Sequence, residues 1–140
     1  MSLSNHSNRA HALLSSSSSA RWLICTPSAV AATMYPAQDT AFTREGTLAH
    51  EVAEEVARAP LEGREVLRSW AEEVTPEMVR CAEAYSDYIQ ELIQDDSAVV
   101  LLEQRVDFSP WVPHGFGTAD CIIIQGSRMD VVDYKYGQGV

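Results

Sequence analysis

The stretch GTADCIIIQGSRMDVVDYKYGQGV (residues 117–140) holds two short apolar runs, each bordered by an aspartate. Ile122 to Ile124 follow Asp120, Val131 and Val132 precede Asp133, and Gly126 lies between the runs. Short branched runs separated by turn residues read as strands, and a glycine at the break reads as a hairpin. The spacing predicts strands over 118–125 and 128–135, paired so that partner numbers sum to about 253. Asp120 then falls opposite Asp133 or nearly so. Side chains alternate faces along a strand, so Asp133 and Lys135 share one face and Tyr134 takes the other. Two carboxylates and an ammonium converge at one end of a sheet.

Such a trio has a chemical use. Carboxylate oxygens hold a hard cation that keeps some of its waters, and the cation can activate a water against a phosphodiester. A nearby lysine can orient or deprotonate that water, or offset negative charge as it develops. An isolated Asp-x-Lys is weak evidence, since it is far more often an exposed i,i+2 ion pair. Here both acids stand at the edges of apolar strands, and Gly115 and Gly117 leave room for close backbone approach ahead of Asp120.

Upstream, AVVLLEQRVDF predicts a third strand near 99–108, with Glu103 placed either toward the same site or on an exposed face. Two helices precede the strands. TREGTLAHEVAEEVARAP runs from Thr43 to a stop at Pro60, with Leu48, Val52 and Val56 as an apolar stripe. His50 lies off that stripe, beside Ala49, Ala53 and Ala57, whose small side chains allow close packing on a sheet. It reads as a solvated helix histidine or as one aimed at the sheet rim. Glu51 and Glu54 read as solvated helix acids. In TPEMVRCAEAYSDYIQELIQDD, Thr75 is the N-cap and Pro76 the first helical residue; Met78, Cys81, Ala82, Tyr85, Ile89 and Leu92 form one face. Nearer the N-terminus, SSSSSA leads into a short helix over ARWLIC anchored by Trp22 and Leu23, and Pro27 and Pro36 break regularity beyond it. Helices followed by a strand meander give an α+β or α/β sheet protein.

With 140 residues the chain is at most one domain, and residues 1–14 are polar, unpatterned and expected to be flexible. No apolar run reaches the ~20 residues of a membrane span, and no signal peptide is visible, so a cytoplasmic location is expected. Ten Lys and Arg against twenty Asp and Glu give a formal charge of -10. That argues against a DNA-binding module acting through a basic surface, and less against an enzyme whose acids hold cations. Cys25, Cys81 and Cys121 are too few and too dispersed for a zinc motif or a disulfide framework.

Taken in order, GTLAHE, LEQRVDF, GFGTADCIII and VVDYKYGQGV resemble the RecB-like branch of the PD-(D/E)xK nuclease superfamily, and SSSSARWLICTPSA supplies the serine-rich opening of a narrower family within it. More narrowly, they resemble a prophage-encoded family first catalogued as a domain of unknown function. The resemblance covers nearly the whole chain. It implies a restriction-endonuclease-like fold, a mixed β-sheet flanked by helices. His50, Asp120 and Asp133 would be metal ligands with the Tyr134 main-chain carbonyl, Lys135 would be the catalytic lysine, and Glu103 an accessory acid. The implied reaction is Mg²⁺- or Mn²⁺-dependent hydrolysis of DNA, often from an end, with DNA and phage recombination proteins as partners.

Relatives of that kind carry a Gln-x-x-x-Tyr helix after the Asp-x-Lys strand, and this sequence ends at Val140 before one. The expectation is therefore a C-terminally truncated nuclease domain over 1–140, whose core a second copy could complete as a homo-oligomer. Cys25 sits where some relatives hold an early iron–sulfur ligand, but no late cysteine set follows, so no cluster is expected. The competing readings are a non-catalytic DNA-binding or assembly module that keeps the fold, and an interaction protein joined through the Tyr85/Ile89 helix face.

Overall fold

The computed structural model describes residues 12–35, 40–67 and 69–137. Among them are four α-helices, α1 (Ser19–Trp22), α2 (Pro27–Met34), α3 (Ala41–Leu61) and α4 (Pro76–Leu92). Three strands follow, β1 (Val99–Asp107), β2 (Phe116–Gln125) and β3 (Arg128–Val132). The strands form an antiparallel sheet in the order β1-β2-β3, and the α+β reading holds.

The described residues divide into two compact units, one of 12–35 and 105–118, the other of 40–67, 69–104 and 119–137. In the first, a 3-10 turn over Ser16–Ser18 leads into α1. The Trp22 indole N–H donates to the Ser15 carbonyl at 2.8 Å, so Trp22 is an anchor as expected. Leu23 is not; it stands exposed. The stretch after Pro27, expected to be irregular, is helix α2, because Pro27 occupies its first turn, where no N–H is needed. Arg105 lies over the Phe116 ring at 3.8 Å. The Phe108 ring lies so close to Gly115 that a Cβ there would meet it at 2.5 Å. Gly115 thus serves a local packing contact and not the approach to Asp120 that its position suggested. Of the segment 1–14, residues 1–11 lie outside the described residues, and Ala12 is buried.

The second unit holds the core, in which α3 and α4 pack together. Helix α3 starts two residues before the expected Thr43, because Thr40 caps it: the Thr43 N–H donates to the Thr40 Oγ1 at 3.1 Å. Pro60 does not stop it but sits in its last turn, which Gly63 closes at φ +67° by reaching the Pro60 carbonyl. Ala49, Val52, Ala53, Val56 and Ala57 are buried, so both the expected valine stripe and the alanine side face the core. Helix α4 is capped as its sequence predicts, with the Met78 N–H donating to the Thr75 Oγ1 at 3.2 Å; such a cap contributes about 1 kcal/mol. Met78, Ala82, Tyr85 and Ile89 are buried on its inner face, with Cys81 and Leu92 packed alongside.

Gln125 ties the end of α4 to the sheet. Its side-chain oxygen accepts from the Gln94 N–H at 2.7 Å, and its amide donates to the Leu92 carbonyl at 2.8 Å. These bonds satisfy groups that a helix end otherwise leaves orphaned. The β2–β3 register is Cys121 with Val132 through Gln125 with Arg128, the pairing expected from the sequence. Gly126, at φ +55°, begins the two-residue turn, where a left-handed conformation suits the twist of the strands. The ladder ends at Val132, three residues short of the expected Lys135. Ile124, Met129 and Val131 are exposed on these strands. No described helix is long and apolar enough to cross a membrane.

Candidate metal centre

The hairpin register carries Asp120 and the segment after β3 to one place. Continuing the observed pairing one step sets Asp120 across from Asp133. The next residue then reaches back: the Tyr134 main-chain N–H donates to the Asp120 Oδ2 at 2.7 Å. Tyr134 itself is buried, while the Asp133 and Lys135 side chains are well exposed and form an ion pair with each other. The alternation read from the sequence therefore continues past the end of the ladder.

Helix α3 brings His50 to the same place. The buried alanines allow it to lie close, and the His50 Nδ1 stands 3.8 Å from the Asp120 Oδ2. The His50 ring meets Tyr134 edge-on, with centroids 5.2 Å apart and planes at 81°. Tyr134 in turn contacts Tyr85 of α4 at 5.0 Å. Two helices and the segment after β3 thus support one aromatic stack beneath the polar groups.

Glu103 completes the set from β1. One ligand-type atom from each of His50, Glu103 and Asp120 lies within 4.8 Å of the others. Glu103 has φ +49°, a left-handed conformation that costs a non-glycine residue roughly 1 kcal/mol or more. This local break in the strand geometry accompanies the placement of an acid, exposed on β1, within reach of His50 and Asp120, a placement that strict alternation left undecided. Its carboxyl is held above the usual glutamate range, first by burial, then by the charges of Asp120 and Glu54, while His50 and Arg58 oppose the shift.

The structure thus brings together His50, Asp120 and Glu103. It leaves Asp133 outside that group, paired with Lys135. Tyr134 reaches the group through its N–H.

Three contributors escaped the sequence reading. Glu54, read as merely solvated, acts on Glu103 and pairs with Arg58 at 2.6 Å. His50, Glu54 and Arg58 are spaced i, i+4, i+8, a pattern that puts them on one helix face and could have revealed them. Tyr85, read only as core, has a buried hydroxyl without a hydrogen-bond partner among the described residues. That hydroxyl lies within electrostatic reach of Asp120, Glu103 and Asp133, and burial raises its pKa well above the usual tyrosine value.

Cys121 is buried behind Asp120, its thiol pushed up to about 11 by burial and then by that charge; this is the setting of an inert core cysteine. Cys81 is half-buried and Cys25 exposed, both as free thiols.

One imidazole and two carboxylates form a nitrogen and oxygen donor set without thiolate, which suits Mn²⁺ or Mg²⁺ better than a soft metal. The residues present therefore fit a divalent cation.

This α+β chain with a candidate cation centre matches a family model over residues 11–140, and it belongs to that family, described as "Protein of unknown function (DUF2800)". No solved structure matches it.

Proposed function

We propose that the protein is a divalent-metal-dependent DNA nuclease of the PD-(D/E)xK kind, acting in phage DNA recombination or processing. The observation that carries this reading is the convergence of His50, Glu103 and Asp120, with Asp133-Tyr134-Lys135 following the strand paired to β2 and the Tyr134 N–H bonded to Asp120.

In this reading His50, Glu103 and Asp120 hold Mg²⁺ or Mn²⁺, with Asp133 and the Tyr134 carbonyl available as further oxygen donors. The cation, when bound, supplies a polarised water and offsets charge on the scissile phosphate. The Tyr134 N–H fixes the orientation of the Asp120 carboxylate, and the edge of the imidazole against Tyr134 limits its rotation. Lys135, oriented by Asp133, offers its ammonium to a phosphate oxygen and lowers the cost of charge developing there. The acid-rich chain has little basic surface with which to hold DNA unaided, which favours this reading over a non-catalytic DNA-binding module.

The test is cleavage of end-labelled single- and double-stranded DNA by the full chain with Mn²⁺ or Mg²⁺. Chelation, Asp120→Ala, Asp133→Ala and Lys135→Ala should each abolish it. Cleavage that survives in all three variants would overturn the assignment.

A further inference from the structure

Next to Lys135, on the side of Tyr136, a cavity of about 440 Å³ opens between the start of α3, the start of α4 and the segment after β3. Phe42 and Glu45 line it from α3, Glu77 from α4, and Lys135 and Tyr136 from the C-terminal segment. Phe42 leaves 76% of its surface exposed, although it stands beside a helix pair with a well-filled core. The other aromatic, Tyr136, is partly buried against that core and so has a fixed base.

The lining decides what can enter. Two carboxylates against one ammonium, itself paired with Asp133, repel a phosphate or any other anion. Aromatic faces attract flat rings, and carboxylates accept hydrogen bonds from ring amino and imino groups. A nucleobase combines these properties, being flat, uncharged and rich in N–H donors. In a duplex its faces are covered by stacking and its donors are used in pairing, so only an unpaired base can enter. Lys135 belongs to both places: it lines this cavity, and it is one residue from Tyr134, whose N–H binds Asp120. The cavity and the carboxylate centre are thus joined by one short segment, residues 134–136, along which a single strand can run from one to the other.

We propose that this cavity is a nucleobase subsite that makes the protein prefer single-stranded DNA or an unpaired end. The proposal rests on the nuclease reading for the identity of the strand, and it adds the class of substrate. Stacking of one base on an aromatic side chain is worth enough that its removal weakens binding about tenfold.

The test measures binding separately from cleavage. Fluorescence anisotropy of a labelled twelve-nucleotide single strand and a blunt twelve-base-pair duplex would be recorded with the full chain in Ca²⁺. The single strand should bind about tenfold more tightly than the duplex. Phe42→Ala should lose that advantage and leave duplex binding unchanged, Phe42→Trp should restore it, and a strand with an abasic site at its end should mimic the loss. Because Phe42 is largely exposed, both variants should keep the wild-type melting temperature. Equal affinity for strand and duplex, or a Phe42→Ala loss shared by both, overturns the subsite. Cleavage assays on the same proteins separate the two ideas. If both substrates are cut and Phe42→Ala changes neither rate, the nuclease reading stands and the subsite falls. If the strand preference depends on Phe42 but no cleavage occurs with any divalent metal, the subsite stands and the nuclease reading falls.

Discussion

The Tyr134 main-chain N–H and the His50 imidazole meet the same oxygen of Asp120, one at 2.7 Å and the other at 3.8 Å. A single carboxylate therefore fastens the segment after β3 and faces the helix that carries His50. Its structural and chemical duties can be separated by substitution. Asp120→Asn keeps an acceptor for Tyr134 and should cost less than about 1 kcal/mol, whereas Asp120→Ala removes it and should cost about 1–3 kcal/mol. Both should lose Mn²⁺ binding in calorimetry. Denaturant melts give the first comparison, and equal destabilisation by the two variants would refute the separation.

Glu103 gives a pH signature. Its folded pKa is raised by burial and by Asp120 and Glu54, so the fold binds a proton more tightly than the unfolded chain does. The stability this contributes is full below the ordinary value of 4.5 and is lost as pH rises through the folded pKa. Without metal, Glu103→Gln should therefore be as stable as wild type in acid and gain on it as pH rises above 4.5, read from melting temperatures in EDTA. Because the same proton competes with a cation, Mn²⁺ affinity of the wild type should climb over that range.

Glu55 has the opposite sign. Arg64 grips both its oxygens, at 2.6 and 2.8 Å, and the Leu67 N–H adds a bond at 3.0 Å. Its carboxyl is held down to about 2, chiefly by Arg64 and then by Leu67. The stability it contributes is present above 4.5 and is lost as pH falls toward 2. Glu55→Gln should flatten that part of the acid-unfolding curve and leave metal binding unchanged. An acid limb identical to wild type would count against the pairing.

Gln125 is buried with its amide group bonded to the end of α4. Gln125→Leu has a similar size but leaves the Gln94 N–H and the Leu92 carbonyl without their partner. Two lost bonds of this kind should cost about 1–3 kcal/mol. Hydrogen exchange should show the loosening at Gln94 first, and protection unchanged there would refute the role.

The parts of this fold that could be read in the sequence are those with local causes. Thr75 and Pro76 announce α4 by cap chemistry, and Gly126 with its flanking runs sets the hairpin register that carries Asp120 to the segment after β3. Helix α2 was hidden because a proline that begins a helix looks the same in sequence as one that breaks a chain. Glu103 could not be placed by alternation, because its left-handed backbone interrupts the period on which alternation depends. Tyr85 carried the correct core signal. Only the tertiary arrangement reveals that its hydroxyl is buried with no partner among the described residues and feels the charge of three carboxylates. The exposure of Asp133 and its ion pair with Lys135 likewise depend on where the ladder stops, a boundary that residue pattern leaves loose.

The twisted backbone at Glu103 sets heat resistance against cation capture. Glycine or asparagine would sit at φ +49° with less strain, but neither offers a carboxylate to His50 and Asp120. A library randomised at this one position and sorted for survival at high temperature should drift toward those two residues. The same library sorted for Mn²⁺ retention should return to an acid. Which of the two demands governs position 103 is thus a choice imposed on the chain from outside its fold.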